Sequence, residues 1–426
     1  MTDSDLIRAS FARIERRADH VAKYFYSHLF AANPGVRAMF PADMSEQRDR
    51  LFAALTQVVQ RLEDPGLPEF LEALGRDHRK FGAKPEHYTA VGQSLIAALR
   101  FGAQMTWDEP TEQAWLAAYG VLAEAMIRGS ESAERQGDPP YWEAIVLYHA
   151  RQGRDNAKLT LLPERDFPFT AGQFTSVEAP ALRPQVWRPY TIACAPRTDN
   201  TIDLHVSRID GGLLSPALID EVREGDTLRL GPPSGTTVLA SGSTRPATFI
   251  AAGTGWATIR ALLEEWLRGI PPTQVRAFVA ARSPEHLYDE EAIRAVAETH
   301  PWLNLRTITA QPGESVAMAW RRLAAALTSY ADWPAQDVYV SGPPGFIVAV
   351  RELLLTHGAA PERLAHDLVP LPTQGGRAPG HTEWFLNPPQ PRWINPADRD
   401  PWAGPHGGPR PRAGSEREQG GHHPGA

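Results

Sequence analysis

A chain of 426 residues is too long for one hydrophobic core and suits roughly two to four domains. Its hydrophobic and charged fractions, 42% and 22%, are those of an ordinary globular protein and exclude a fibre or general disorder. A net charge of -7 argues against a nucleic-acid binder, and no apolar run reaches the roughly 18 residues that cross a membrane.

The N-terminus has no hydrophobic signal core, so the cytoplasm is the expected compartment. Residues 1–136 are written in helical period. Ile7, Phe11, Ile14, Ala18, Val21, Phe25 and Leu29 recur at three- and four-residue steps and share a helix face. Leu51, Leu55, Val58 and Leu62 repeat the pattern until Asp64-Pro65-Gly66 stops it. Phe70, Leu74 and Phe81 form a third stripe closed by Gly82; Tyr88, Val91, Leu95 and Leu99 form a fourth, and Trp115, Tyr119, Leu122 and Met126 a fifth. No strand-like alternation interrupts them, which predicts an all-α domain.

His78 lies four residues after Leu74 and three before Phe81, on the apolar face. Alone, it reads as a core histidine bonded to a backbone carbonyl. Its company shifts that weighing. Tyr26 faces the same core, Phe40 stands at a helix-to-loop corner, and Gln47 and Leu51 share one face of the next helix.

These residues, in this order, resemble the globin module of flavohaemoglobins over essentially residues 1–130. The resemblance implies haem b, with His78 as proximal iron ligand through its neutral imidazole. It makes Tyr26 and Gln47 the distal pair that hydrogen-bonds dioxygen, stacks Phe40 on the porphyrin, sets Leu51 above the iron and puts Tyr88 near the proximal histidine. The family also gives that histidine a glutamate partner on the last helix. Here Gly129-Ser130-Glu131-Ser132 stands nearest, so the carboxylate is either shifted to Glu131 or absent. Such a partner makes the imidazole more basic and pushes electron density to the iron.

Around Gly137-Asp138-Pro139-Pro140 the pattern changes, and residues 140–240 carry short β-type runs at the spacing of an antiparallel barrel. They include Ile145 to Tyr148, Phe174 to Val177, and Ile202, Leu204 and Val206. Arg188-Pro189-Tyr190-Thr191 ends a strand, and Gly211-Gly212-Leu213-Leu214-Ser215 precedes a helix with a hydroxyl and free amides placed for a phosphate. An edge-strand salt bridge for Arg188 and a barrel-rim position for Tyr190 is the plainer reading. It is outweighed because both signals sit at suitable spacing in one β domain.

The segment resembles the flavin domain of ferredoxin–NADP reductase-like proteins. That implies FAD, with Arg188 on the diphosphate, Tyr190 on the ring and Thr191 near the flavin N5; Phe174, Pro189 and Ser215 join the same site. Cys194, the single cysteine, reads as a small buried residue; alone it can form no redox pair, so electron chemistry must come from cofactors.

Residues 245–370 alternate strand and helix, which predicts a parallel sheet covered by helices. Gly253-Thr254-Gly255-Trp256-Ala257-Thr258 follows a strand and opens a helix. The third glycine of the dinucleotide fingerprint is Thr258, so the turn fits better as the shorter one of the reductases, which often have proline there. Ser341-Gly342-Pro343 resembles the strand-end turn beside the nicotinamide, with serine where many members carry cysteine. Arg282, in Ala280-Ala281-Arg282-Ser283-Pro284, reaches the adenosine end. Arginine and serine suit a 2′-phosphate and no acid stands in that turn, yet NADH-using relatives share it, so NADH and NADPH both stay open.

The family closes with an aromatic on the flavin, whereas Leu364 to Pro370 contains none. Residues 371–426 are rich in Pro, Gly, Arg and His without any period, and read as a disordered tail in which Trp384, Phe385 and Trp393 are incidental. Three modules in family order imply electron flow from NAD(P)H through FAD to haem iron and oxidation of nitric oxide by dioxygen to nitrate. The expected protein is a monomer with small-molecule partners, no nucleic acid and no membrane. The rival readings are a reductase of peroxide, ferric iron or quinone, and a haem-based oxygen or nitric oxide sensor.

Overall fold

The structure, a computed structural model, describes residues 2–269, 275–300 and 302–367. The expected tail, with Trp384, Phe385 and Trp393, and the Leu368–Pro370 end of the preceding segment lie outside the described residues.

Six helices build the first module: α1 Asp3–Ile14, α2 Ala18–Ala32, α3 Ser45–Gln60, α4 Leu67–His78, α5 Pro85–Ala103 and α6 Glu109–Arg135. Thr2 and Asp5 cap α1 reciprocally, each side chain taking the other's backbone N–H. The stripe from Ile7 to Leu29 is not one continuous helix. A 3-10 turn, Glu15–Arg17, separates α1 from α2, because Arg17 leaves helical dihedrals at φ -123°, ψ 23°. Both halves still bury their stripe in one core. After α4 another 3-10 turn, Arg79–Phe81, ends on Gly82 at φ 77°, the left-handed stop that glycine takes without cost.

Helix α4 is pinned on α6 by direct backbone approach. A Cβ on Gly75 would lie 2.0 Å from the Met126 carbonyl oxygen, and one on Gly129 would lie 2.0 Å from that of Glu72. Glycine at both positions therefore fixes where His78, the last residue of α4, can point.

The second module holds β1 Trp142–Gln152, β2 Asn156–Pro163, β3 Phe174–Glu178, β4 Arg188–Thr191, β5 Ile202–Ser207, α7 Leu214–Asp220 and β6 Thr227–Leu230. Its strands form a curled antiparallel sheet in the order β4-β3-β6-β1-β2-β5. An isolated bridge between Ile192 and Leu204 joins the two edges. Inward residues such as Val146, Leu159, Leu161, Val177, Leu204 and Leu230 fill the interior, and Leu214, Leu218 and Ile219 of α7 close one end.

The third module contains β7 Ala247–Ala252, α8 Trp256–Arg268, β8 Val275–Ala281, α9 Glu290–Thr299, β9 Leu303–Thr309, α10 Val316–Thr328, β10 Asp337–Ser341, α11 Pro344–Thr356 and β11 Leu364–Ala365. All its strands are parallel, in the order β11-β10-β7-β8-β9. Every residue of β7 and β8 is buried, as expected of a sheet covered on both faces. The order reverses between β7 and β10, which puts the ligand-binding crevice of such a sheet at their C-terminal ends. Among the described residues no helix is long and apolar enough to cross a membrane.

Candidate functional site

A cavity of about 250 Å³ opens within the helical module. His78, Tyr26, Phe40, Gln47, Leu51 and Tyr88 all line it, so six residues singled out from the sequence converge on one space. Gln185, Val186 and Arg188 of the β module also line it.

The His78 Nδ1 atom lies 2.8 Å from the Leu74 carbonyl oxygen. A carbonyl can only accept, so Nδ1 carries the proton and Nε2 keeps its lone pair. His78 borders the cavity yet sits deep among protein atoms, and this burial lowers its pKa and holds the imidazole neutral. The Phe81 ring stands edge-on to it at 5.8 Å.

On α2, the Tyr26 hydroxyl donates to the backbone carbonyl of Gln47 at 3.3 Å, and burial pushes the phenol up to about 12. Phe40 meets Tyr26 and Phe30 edge-on, at 5.6 and 5.3 Å. Arg37 fixes the Phe40 corner by donating to the carbonyls of Phe40 and Ala42.

Two buried polar atoms belonging to wall residues, the Tyr88 hydroxyl and the Gln185 side-chain oxygen, have no hydrogen-bond partner in the protein. A neutral imidazole with one free nitrogen, aromatic and aliphatic walls, and polar atoms left for a ligand fit an iron porphyrin. Glu131 is not brought to this site. It is exposed on α6, and the His78 nitrogen that the family gives to a carboxylate goes instead to Leu74.

On β4, the buried Arg188 donates to the Trp187 carbonyl at 2.9 Å and forms an ion pair with Glu46 of α3, another wall residue of the cavity. The Tyr190 ring packs partly buried against the β-module core, and burial raises its phenol pKa. Pro189 is half-buried on the same strand, and Phe174 pairs with Thr191 across β3 and β4.

The Ser215 hydroxyl is buried and accepts the Ile209 N–H at 2.9 Å, so it closes its own loop. Cys194 is buried, and burial pushes its thiol up to about 11. Sequence reasoning missed the buried, unpartnered Thr237 hydroxyl and His366 Nδ1. Asp367, next to His366, reaches back to accept the N–H groups of Thr236 and Thr237, at 3.0 and 3.1 Å. A Cβ on Gly235 would lie 2.8 Å from Asp367 Oδ2 and 3.1 Å from the Phe174 ring, so this segment packs against the residue that the flavin resemblance singled out.

The Gly253-to-Thr258 turn and the Ser341-Gly342-Pro343 turn close on each other at the β7–β10 switch. A Cβ on Gly255 would lie 2.2 Å from the Ser341 carbonyl oxygen, and one on Gly342 would lie 2.9 Å from the Ala252 Cβ. Gly253 has φ 53°, Thr254 is half-buried, Ala257 is buried, and the buried Trp256 donates its indole N–H to Asp289 at 2.8 Å. The Thr258 hydroxyl lies 2.9 Å from that of Ser341 and 3.4 Å from that of Thr191. Three motif residues from two modules thus form a line of hydroxyls across the seam. Arg282 is exposed, and the Ser283 hydroxyl donates to the carboxylate of Glu285. An acid, Glu285, therefore stands one residue beyond the Ala280-to-Pro284 segment and takes the serine hydroxyl.

Comparison with known proteins gives the same three parts. The globin family profile matches residues 23–126, that of the oxidoreductase FAD-binding domain residues 153–238, and that of the oxidoreductase NAD-binding domain residues 249–352. The flavohemoprotein of Bacillus subtilis is 26% identical over 390 residues, which cover 85% of this chain and 96% of that one. The flavohemoprotein of Bordetella pertussis is 27% identical over 391 residues, covering 84% and 95%. The crystal structure of flavohemoglobin from Malassezia yamatoensis with bound FAD and heme shares the fold, with a TM-score of 0.67, 18% identity and coverage of 86% of this chain and 98% of that one.

Proposed function

From membership of the flavohaemoglobin family, to which the chain belongs, we propose that it is an NAD(P)H-dependent nitric oxide dioxygenase. The observation that carries this reading is the shared wall of the cavity, where His78 and Tyr26 of the globin module meet Arg188 of the flavin module. When bound, FAD would supply the exchange between a hydride and single electrons, and haem would supply dioxygen chemistry at its iron.

The chain's residues bind, orient and exclude water. His78 would hold the iron through Nε2, while the Leu74 carbonyl fixes its tautomer and ring plane. Tyr26 stays protonated throughout the neutral range and can turn its hydroxyl from the Gln47 carbonyl toward a polar ligand in the cavity. Thr191 and Ser341, bridged by Thr258, hold the two sides of the hydride-transfer seam in register.

Adding one electron to nitric oxide and dioxygen gives nitrate, so one hydride serves two nitric oxide molecules. A neutral carbonyl rather than a carboxylate behind His78 gives the iron less electron density, which disfavours the peroxide reductase. All three sites lie on one chain, in keeping with a monomer working in the cytoplasm on reduced nicotinamide. Measuring NADH oxidation in air with nitric oxide, peroxide, ferric iron and quinone in turn tests the assignment; nitric oxide should accelerate it most, with nitrate as product, and a greater acceleration by another addition would refute it.

A further inference from the structure

Two residues beyond His78, the globin module sends a charged side chain into the flavin module. Lys80 is only 8% exposed, and its ammonium lies 2.5 Å from Asp77 Oδ1 and 2.8 Å from Ser176 Oγ on β3. It also sits over the rings of Phe81 and Trp187, at 5.1 and 5.3 Å. Gly231 makes room for the contact, since a Cβ there would lie 2.2 Å from Ser176 Oγ and 3.4 Å from Lys80 Cδ. Phe81 stands edge-on both to His78 and, at 6.3 Å, to Trp187, which directly precedes Arg188. A buried ammonium is costly unless it is paired, and here its partners come from both modules.

We propose that Lys80 is a positioning residue that fixes the His78 segment against the flavin sheet and so sets the rate at which electrons cross from flavin to haem. The inference rests on the electron route proposed above. Asp77 belongs to the globin module and stays with Lys80 whatever the modules do. Ser176 and Trp187 are what docking adds, so they hold the seam shut. Electron transfer falls steeply with separation, and a loosened seam spends less time at the productive distance. The hydride seam at Thr191, Thr258 and Ser341 involves none of these side chains and should be untouched.

The test uses the full-length protein loaded with haem and FAD and mixed with NADH in the absence of oxygen. In Lys80→Met, flavin reduction should stay within about twofold of wild type while haem reduction slows by about tenfold or more. Ser176→Ala, which leaves the Lys80–Asp77 pair intact, should slow the same step by about threefold. Protease cleavage within residues 136–141 of the cofactor-free protein should quicken in both variants, a readout independent of turnover. Should Lys80→Met fail to fold, Ser176→Ala decides alone. Haem reduction at the wild-type rate in the folded variants overturns the latch but leaves the electron route standing. A wild-type protein whose flavin is reduced and whose haem is not overturns both.

Discussion

Arg188 and Glu46 form an ion pair across the seam between the flavin sheet and the haem cavity. Arg188 is the side chain that the flavin motif assigns to a diphosphate, and Glu46 sits on the helix that walls the cavity. Their side chains are 10% and 22% exposed, so the pair is largely shielded from water. Under the proposed assignment one guanidinium would face two anions, and the carboxylate would compete with the flavin.

Removing the competitor should strengthen flavin binding. Glu46→Gln is expected to tighten FAD by roughly fivefold, which corresponds to about 1 kcal/mol. Titration of the FAD-free protein, followed by quenching of flavin fluorescence, checks it. An unchanged or weaker Kd would mean that Arg188 holds both anions at once.

Tyr26→Phe removes the one hydroxyl aimed at the cavity from α2 and preserves its packing against Phe40. Oxygen dissociation from the reduced protein should rise by roughly 10- to 100-fold, the worth of a hydrogen bond to a partly charged ligand. Haem content should not change. Stopped-flow displacement of dioxygen by carbon monoxide measures the rate, and an unaltered value would assign that hydrogen bond elsewhere.

At the nicotinamide seam, Gly255→Ala puts a Cβ 2.2 Å from a backbone oxygen of Ser341, where neither side can yield. Overpacking of this kind costs about 1–3 kcal/mol, so the thermal midpoint should fall. Hydride transfer to flavin should slow by about tenfold or more, because the two turns are forced apart. FAD, held by the preceding module, should stay bound. Wild-type hydride transfer in this variant would show that the close turn does not set the geometry.

His205 supplies a pH dependence of known sign. It is buried between modules, where Arg260 donates to its Nε2 at 3.3 Å and its Nδ1–H donates to the Tyr288 hydroxyl at 2.7 Å. Asp203, Asp289 and Lys158 are the other charged groups nearby. Burial lowers its pKa from 6.5 to about 4. The unfolded chain then binds the proton more readily, so this contribution is complete above pH 6.5 and lost as pH falls towards 4. It amounts to roughly 3 kcal/mol. Thermal midpoints between pH 7 and pH 4.5 should fall more steeply in wild type than in His205→Gln; parallel curves would remove His205 from the account.

Much of the fold is legible in the sequence because its signals are local. Helical stripes, alternating strands and glycine turns each act within a few residues, and all three modules follow from them. Phase explains one residue that stayed out of the site. Gly129 faces α4, so Glu131, two residues and about 200° further round α6, must face away. The Ser215 hydroxyl is used six residues away in its own loop, a contact that periodicity cannot register.

The seams were hidden for the opposite reason. Lys80 meets Ser176 across 96 residues, Glu46 meets Arg188 across 142, and Asp367 meets Thr237 across 130. No spacing rule links such positions, although each contact joins two modules.

The central claim is that electrons from nicotinamide cross this chain to the site where dioxygen oxidises nitric oxide to nitrate, and its stoichiometry tests it most directly. With the haem- and FAD-loaded protein in aerated buffer, nitric oxide, NADH and nitrate would be followed together. The account predicts that two nitric oxide molecules disappear and two nitrates form for each NADH consumed, and that His78→Ala abolishes the coupling. NADH oxidation that proceeds while nitric oxide persists and no nitrate forms would contradict it.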